Sequence, residues 1–171
     1  MDTNPTPSHQ GANNYPMKFY ITGTSTGLGK YLSEHLPTVD SLEKCDVFIN
    51  NKFWTDGRIG APTLQYNLLR KASQLKNVQT TVTIGSQAID WCVTRKDDYS
   101  IMKLALTELN KQLYYAGNDC TIINFGALDT EYNHGKDIPK IPLDECLELI
   151  MWILDTPARI MEISVGPNGH S

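Results

Sequence analysis

Runs rich in β-branched and aromatic residues alternate with segments of helical periodicity along most of the chain, and that alternation constrains the fold more than any other feature. Lys18–Thr22, Asp46–Asn50, Thr80–Gly85, Cys120–Asn124 and Ile160–Val165 read as strands. Lys30–Leu36, Thr63–Leu75, Asp98–Ala116 and Leu143–Leu154 read as helices. Pro37 stops the first helix, and Gly117 suits the left-handed position that ends the third. On the second, Leu64, Leu68, Leu69, Ala72 and Leu75 fall on one face. Five strands separated by helices predict an α/β fold, with a parallel sheet covered on both faces.

The chain has 171 residues, 40% of them apolar, and a formal net charge of −4. That is long enough for one domain that buries roughly 70% of its unfolded surface without metals or disulfides. The 15 basic residues are scattered and outnumbered by 19 acidic ones, which argues against nucleic acid or anionic lipid as a partner. Cys45, Cys92, Cys120 and Cys146 form no C-x-x-C pair and have no histidine at finger spacing, so no metal site and no disulfide framework is expected. The longest apolar stretch, Leu149–Leu154, is far short of the ~20 residues that cross a bilayer. Residues 1–16 are polar and rich in Pro, Asn and Gly, without an apolar signal core. They read as a disordered leader before a single compact domain over 17–171, in a cytoplasmic protein with reduced thiols.

Between the first strand and the first helix stands Thr22-Gly23-Thr24-Ser25-Thr26-Gly27-Leu28-Gly29, a T-G-x-x-x-G-x-G spacing. Glycine is needed where the chain reverses tightly, where a pyrophosphate approaches the backbone, and where the helix packs onto the strand. The free N–H groups and dipole of the helix start favour an anion, and the hydroxyls of Thr24, Ser25 and Thr26 add donors. An ordinary strand-to-helix loop with three glycines is the plainer reading. The flanking strand and helix favour the nucleotide.

Tyr99 and Lys103 are four residues apart on the third helix, one above the other. An ammonium beside a phenol favours the phenolate and lowers a pKa that starts near ~10, making Tyr99 a candidate general acid/base. Alone, the pair also fits a surface Tyr lying on a Lys stem. Ser86 changes the weighting. It directly follows the third strand, at the carboxyl edge where open α/β sheets bind ligands, thirteen residues before Tyr99.

With these residues in view, the chain resembles the short-chain dehydrogenase/reductase family, whose members carry T-G-x-x-x-G-x-G near the N-terminus, a Ser after the fifth strand and Y-x-x-x-K about thirteen residues on. Asn50-Asn51 is similar to the start of the family's N-N-A-G, Tyr66-Asn67-Leu68 to the helix carrying its tetrad Asn, and Asn124–Thr130 to its P-G-x-x-x-T segment. The resemblance covers about Met17 to Val165. It implies a Rossmann-like fold and an oxidoreductase moving hydride between NAD or NADP and a small-molecule carbonyl or alcohol. Tyr99 would exchange a proton with the substrate oxygen, Ser86 would hydrogen-bond that oxygen, and Lys103 would lower the Tyr99 pKa and hold the nicotinamide ribose. Asn67 would support a water relay. The cofactor would touch Gly23, Thr24, Ser25, Thr26, Gly27, Leu28, Gly29, Asn50, Asn51, Lys103, Gly126, Leu128 and Thr130.

The chain also departs from the family. The first helix stops at Pro37 and the next strand starts at Asp46, whereas a parallel crossover alone takes at least ~10–12 residues. The family's second and third strands are therefore read as deleted, leaving the order 1-4-5-6-7 in family terms, with the first strand at the sheet edge and the adenosine pocket stripped. Asp40 and Glu43 are the acids nearest the place of the lost ribose ligand. Lys52-Phe53 replaces Ala-Gly, Phe125 replaces Pro, and only a dozen residues, Glu131–Pro142, follow Thr130 to cover the substrate. Gln87, Ile89 and Trp91 are candidate pocket-lining residues. The alternative to an enzyme is a catalytically silent nucleotide-binding or scaffold protein. The third helix sets Ile101, Leu104, Ala105, Leu109 and Leu113 on one stripe and Met102, Leu106, Tyr114 and Tyr115 elsewhere, more apolar surface than one sheet-facing side needs. A homodimer or homotetramer is expected.

Overall fold

The structure is a computed structural model and describes residues 17–54, 63–91 and 98–168. The expected leader, Cys92 and the Trp91 side chain lie outside the described residues. The elements run β1 (Phe19–Ile21), α1 (Gly27–His35), β2 (Val47–Asn50), α2 (Leu64–Ala72), β3 (Thr80–Ile84), α3 (Asp98–Tyr115), β4 (Cys120–Phe125), α4 (Leu143–Asp155) and β5 (Glu162–Val165). Each follows its sequence signal to within a few residues. α1 starts three residues before Lys30, inside the glycine turn. Among the described residues no helix is long and apolar enough to cross a membrane.

The five strands pair in chain order, β1-β2-β3-β4-β5, and all are parallel. This is a Rossmann-like sheet, and no strand intervenes between β1 and β2, as the short gap after Pro37 predicts. Successive side chains alternate across it. Ile21, Ile49, Val82 and Ile123 bury one face together with Leu32 of α1 and Ile150 of α4. On the other face Phe48 packs with Ala72 of α2, and Ile122 with Leu69 of α2 and Leu106 of α3. Toward the carboxyl edge that second face turns polar: Asn50, Thr83 and Asn124 are all buried.

β1 is the edge strand, as expected. The outer edge of β1 is not bare, because Phe19 N–H donates to the Pro37 carbonyl (3.0 Å) and Val39 N–H donates to the Phe19 carbonyl (2.8 Å). These bonds form a single parallel bridge between Phe19 and Thr38, after which a short 3-10 turn buries Leu42 under the opposite face. The apolar stripe expected on α3 is split: Leu109 is buried and Leu113 packs against the same cluster, but Ile101, Leu104 and Ala105 do not turn inward. Ser100, Lys103, Thr107 and Asn110 face inward alongside Leu106 and Leu109, whereas Ile101 (52% exposed), Leu104 and Ala105 face out. Beneath the helix, Lys103 donates to the Ile84 carbonyl of β3 and Asn110 to the Met161 carbonyl just before β5, so backbone acceptors meet two of these inward polar side chains.

Candidate functional site

The glycine turn links β1 to α1 at the carboxyl edge. Gly23 has φ +74°, a region that side chains beyond glycine rarely adopt. A Cβ on Gly29 would collide with the Gly23 carbonyl oxygen, so only glycine lets α1 sit this close to the turn. The N-cap, Thr26, gives α1 no side-chain hydrogen bond, and no acid stands in its first turn. The positive end of α1 is thus left for an anion. The Leu28 side chain is buried in the core. Thr130 stands across from Gly27, within van der Waals reach of a Cβ built there.

Asn51 staples β2 to the turn, donating its backbone N–H to Thr22 Oγ1 (2.9 Å) and its side-chain amide to the Thr22 carbonyl (3.1 Å). Asn50 is fully buried and donates to the Gln65 carbonyl (2.8 Å), which removes it from ligand reach; it anchors α2 instead of touching a cofactor.

Lys103 points down into the molecule and is 3% exposed. Its amine donates to Gln65 Oε1 (2.7 Å) and to the Ile84 carbonyl (2.9 Å). The nitrogen lies 5.2 Å from the centre of the Phe53 ring and 5.7 Å from that of Tyr99. Among the described residues no carboxylate pairs with it. Burial therefore governs its protonation and pulls its pKa down to about 7. Tyr99 is part exposed, its ring edge-on to Phe53 at 4.8 Å between centroids.

Asn67 lies exposed on α2, and the α2 side chain that reaches Lys103 is Gln65. Gln65 also donates Nε2 to the carbonyls of Asn50 (2.7 Å) and Ile84 (2.9 Å), tying β2, β3 and α3 together. Sequence reasoning missed it because family spacing pointed two residues further on. The signal that finds it is a polar residue on the Leu69–Ala72 face, where periodicity calls for an apolar one.

Ser86 follows β3, held by its backbone N–H donating to Asn124 Oδ1 (3.2 Å). Its Oγ accepts the Ala88 N–H (3.1 Å), which leaves the hydroxyl hydrogen to donate outward. Ser86 and Tyr99 open onto one cavity of about 510 Å³, which Gln87, Gly126 and Phe125 also line. Ile89, in the short helix after Ser86, is only part buried and does not line it. Leu128 pairs with Ile141 in an isolated bridge that positions the segment beyond the cavity.

A second cavity of about 660 Å³ lies at the outer edge of β1, where the sequence reading expected a stripped pocket. The Thr38–Asp40 stub forms one wall, Gly23 and Thr24 its rim, and Lys52, Leu64 and Leu68 the side toward α2. Asp40 is held by Lys44 at 2.9 Å. The start of the glycine turn, Gly23 and Thr24, thus borders this second cavity.

No protein-family model matches the chain, and no curated protein sequence does either. Solved structures do match. A short-chain dehydrogenase from Burkholderia cenocepacia, in complex with NADP, aligns with a TM-score of 0.63 at 14% identity, covering 88% of each chain. The closed form of a serine dehydrogenase complexed with NADP+ aligns with a TM-score of 0.67 at 13% identity, over 87% of this chain and 94% of that one. A 3-alpha-hydroxysteroid dehydrogenase from a Pseudomonas species, complexed with NADH, gives 0.62 at 14% identity, over 87% and 95%. At these identities the likeness shows a shared fold, the one expected from the glycine turn and the Ser, Tyr, Lys spacing.

Proposed function

We propose that this chain is an oxidoreductase that uses a nicotinamide dinucleotide, NAD or NADP, to interconvert a carbonyl and an alcohol. The observation that carries the reading is the single cavity onto which Ser86 and Tyr99 both open, with the Lys103 amine beneath Tyr99. The fold shared with dinucleotide-bound dehydrogenases supports it.

The residues present fit the cofactor. The uncapped start of α1 and the Gly23–Gly29 turn would hold the pyrophosphate, and Gly126, Leu128 and Thr130 would border the nicotinamide. The cavity behind β1 would take the adenosine, with Asp40 as acceptor for ribose hydroxyls and Lys52 as a cation for a phosphate. When bound, the nicotinamide supplies or accepts a hydride.

The chain's own part is proton handling and orientation. Ser86 donates its hydroxyl hydrogen to the substrate oxygen and stabilises the negative charge that develops there. Tyr99 gives its phenolic proton to that oxygen in reduction and takes it back in oxidation. Lys103, when protonated, favours the phenolate from below. Buried as it is, Lys103 acts through Tyr99 and not by touching the ribose. Gln65 fixes where the amine stands.

Calorimetric titration with NADH, NADPH and reduced nicotinamide mononucleotide tests this. Saturable binding near micromolar, about −8 kcal/mol, is expected for at least one dinucleotide. The difference between NADH and NADPH reads whether Asp40 or Lys52 dominates the outer cavity. Equal affinity for the mononucleotide would show that this cavity is idle. No heat with any of the three would overturn the proposal and leave a silent scaffold. With a turned-over substrate, Tyr99→Phe should lower kcat by roughly 10²–10⁴.

A further inference from the structure

Phe53 stands beside both side chains that handle the proton, Tyr99 and Lys103, and the loop that carries it is pinned on either side. The backbone N–H groups of Asn51 and Lys52 both donate to Thr22 Oγ1, each at 2.9 Å. The Trp54 carbonyl accepts the Leu64 N–H at the start of α2 (2.9 Å). Between these anchors the half-buried Phe53 ring meets Tyr99 edge-on, at 4.8 Å between centroids and 71° between planes. The Lys103 amine lies 5.2 Å from the centre of the Phe53 ring and 5.7 Å from that of Tyr99. Both distances fall within the ~6 Å at which a cation is drawn to an aromatic face.

We propose that Phe53 is a positioning residue of this site: its ring holds the Tyr99 phenol in place and, together with Tyr99, forms an aromatic cage for the Lys103 amine. This rests on the carbonyl–alcohol reading above. Gln65 Oε1 (2.7 Å) and the Ile84 carbonyl (2.9 Å) accept the amine's hydrogens and fix where it stands. The rings add their negative faces, which favour the charged amine. Tyr99 is the titratable side chain recorded beside the amine among the described residues. Phe53 itself takes no proton, so it supports the charge on Lys103 and leaves proton exchange to Tyr99. Tyr99 is part exposed on the first turn of α3, and the edge-on contact selects one direction for its ring.

The test follows Lys103 in the full chain by NMR, with lysine labelled at Cε. In the unaltered chain, nuclear Overhauser effects are expected between the Lys103 Hε and Phe53 ring protons. The amine titrates there at about 7. In Phe53→Leu, which is apolar but has no π face, the charged form loses an attraction, and the midpoint should fall by about half a pH unit. Phe53→Tyr keeps the face and should hold the midpoint. With a turned-over carbonyl, Phe53→Leu should lower kcat about tenfold while the KM for the dinucleotide changes little. Missing Overhauser effects in the unaltered chain would overturn the proposal. So would a midpoint that Phe53→Leu leaves in place or that Phe53→Tyr moves as far, and so would an unchanged kcat. If the midpoint falls as expected but NADH is never oxidised, the cage stands and the redox reading fails.

Discussion

Lys103 lies where an amine resists protonation. Among the described residues its recorded partners include no carboxylate and no second cation: they are Gln65 of α2, the Ile84 carbonyl of β3, the Phe53 ring and Tyr99 of its own helix. In the unfolded chain it keeps its proton up to pH 10.5, in the folded one only to about 7. Unfolding therefore takes up a proton between those values, so stability should rise with pH across that window, by up to about 1.4 kcal/mol per pH unit. Lys103→Met should abolish that rise, as read from the difference between the two urea-midpoint curves. Gln65→Met removes the side-chain donor to the Asn50 carbonyl, one of the two to the Ile84 carbonyl and one acceptor from the amine, and should cost about 2–4 kcal/mol. Much of that cost should disappear in the double variant, because the two side chains act as one unit. The thiols offer a third reading. Burial holds Cys120 and Cys146 up at about 11 and 12, and Cys45 is raised too. In Cys92→Ser, a thiol reagent should find no reactive cysteine in the native protein and three in denaturant.

At the scale of the element, helices and strands were legible in the chain because their signals are local. The Thr63 hydroxyl accepts the Tyr66 N–H and starts α2 at the position periodicity marks. Thr63→Ala should cost about 1 kcal/mol by denaturant titration. Gly29→Ala should be far more damaging than an ordinary helix Gly→Ala, which is usually neutral or stabilising, because the added carbon meets backbone. What local signals could not reveal was which side of α3 turns inward. Hydropathy selects the Ile101, Leu104, Ala105 side. The residues buried instead are Ser100, Lys103, Thr107 and Asn110, beside Leu106 and Leu109, with Lys103 and Asn110 donating to the Ile84 and Met161 carbonyls. A buried polar layer is a property of two surfaces together, so one segment read alone points the wrong way. The same holds for Gln65, whose three partners come from β2, β3 and α3.

At the scale of the molecule, α3 carries an outward stripe of Ile101, Leu104, Ala105 and Tyr115, the last 77% exposed. A stripe of this kind marks an association surface. We propose that the chain is a homodimer through α3. Light scattering should give twice the chain mass, and Ile101→Asp with Leu104→Asp should halve it while leaving the circular dichroism spectrum intact. A monomer mass for the unaltered chain would overturn this. That no strand intervenes between β1 and β2 was readable from nine residues of spacing. The one-bridge stub at Thr38 and the cavity behind it were not, because both depend on where a loop without a periodic pattern comes to rest.

The order of the sheet has a consequence for how the chain comes into being. In the usual doubly wound arrangement, the order 3-2-1-4 leaves the first strand waiting for a neighbour made much later. Here every strand pairs with the one emerging just before it. During synthesis each new βα unit can dock on a finished edge as it leaves the ribosome, and no long loop has to close before the next contact forms. A sheet ordered as its strands are made thus assembles in one direction, from β1 to β5.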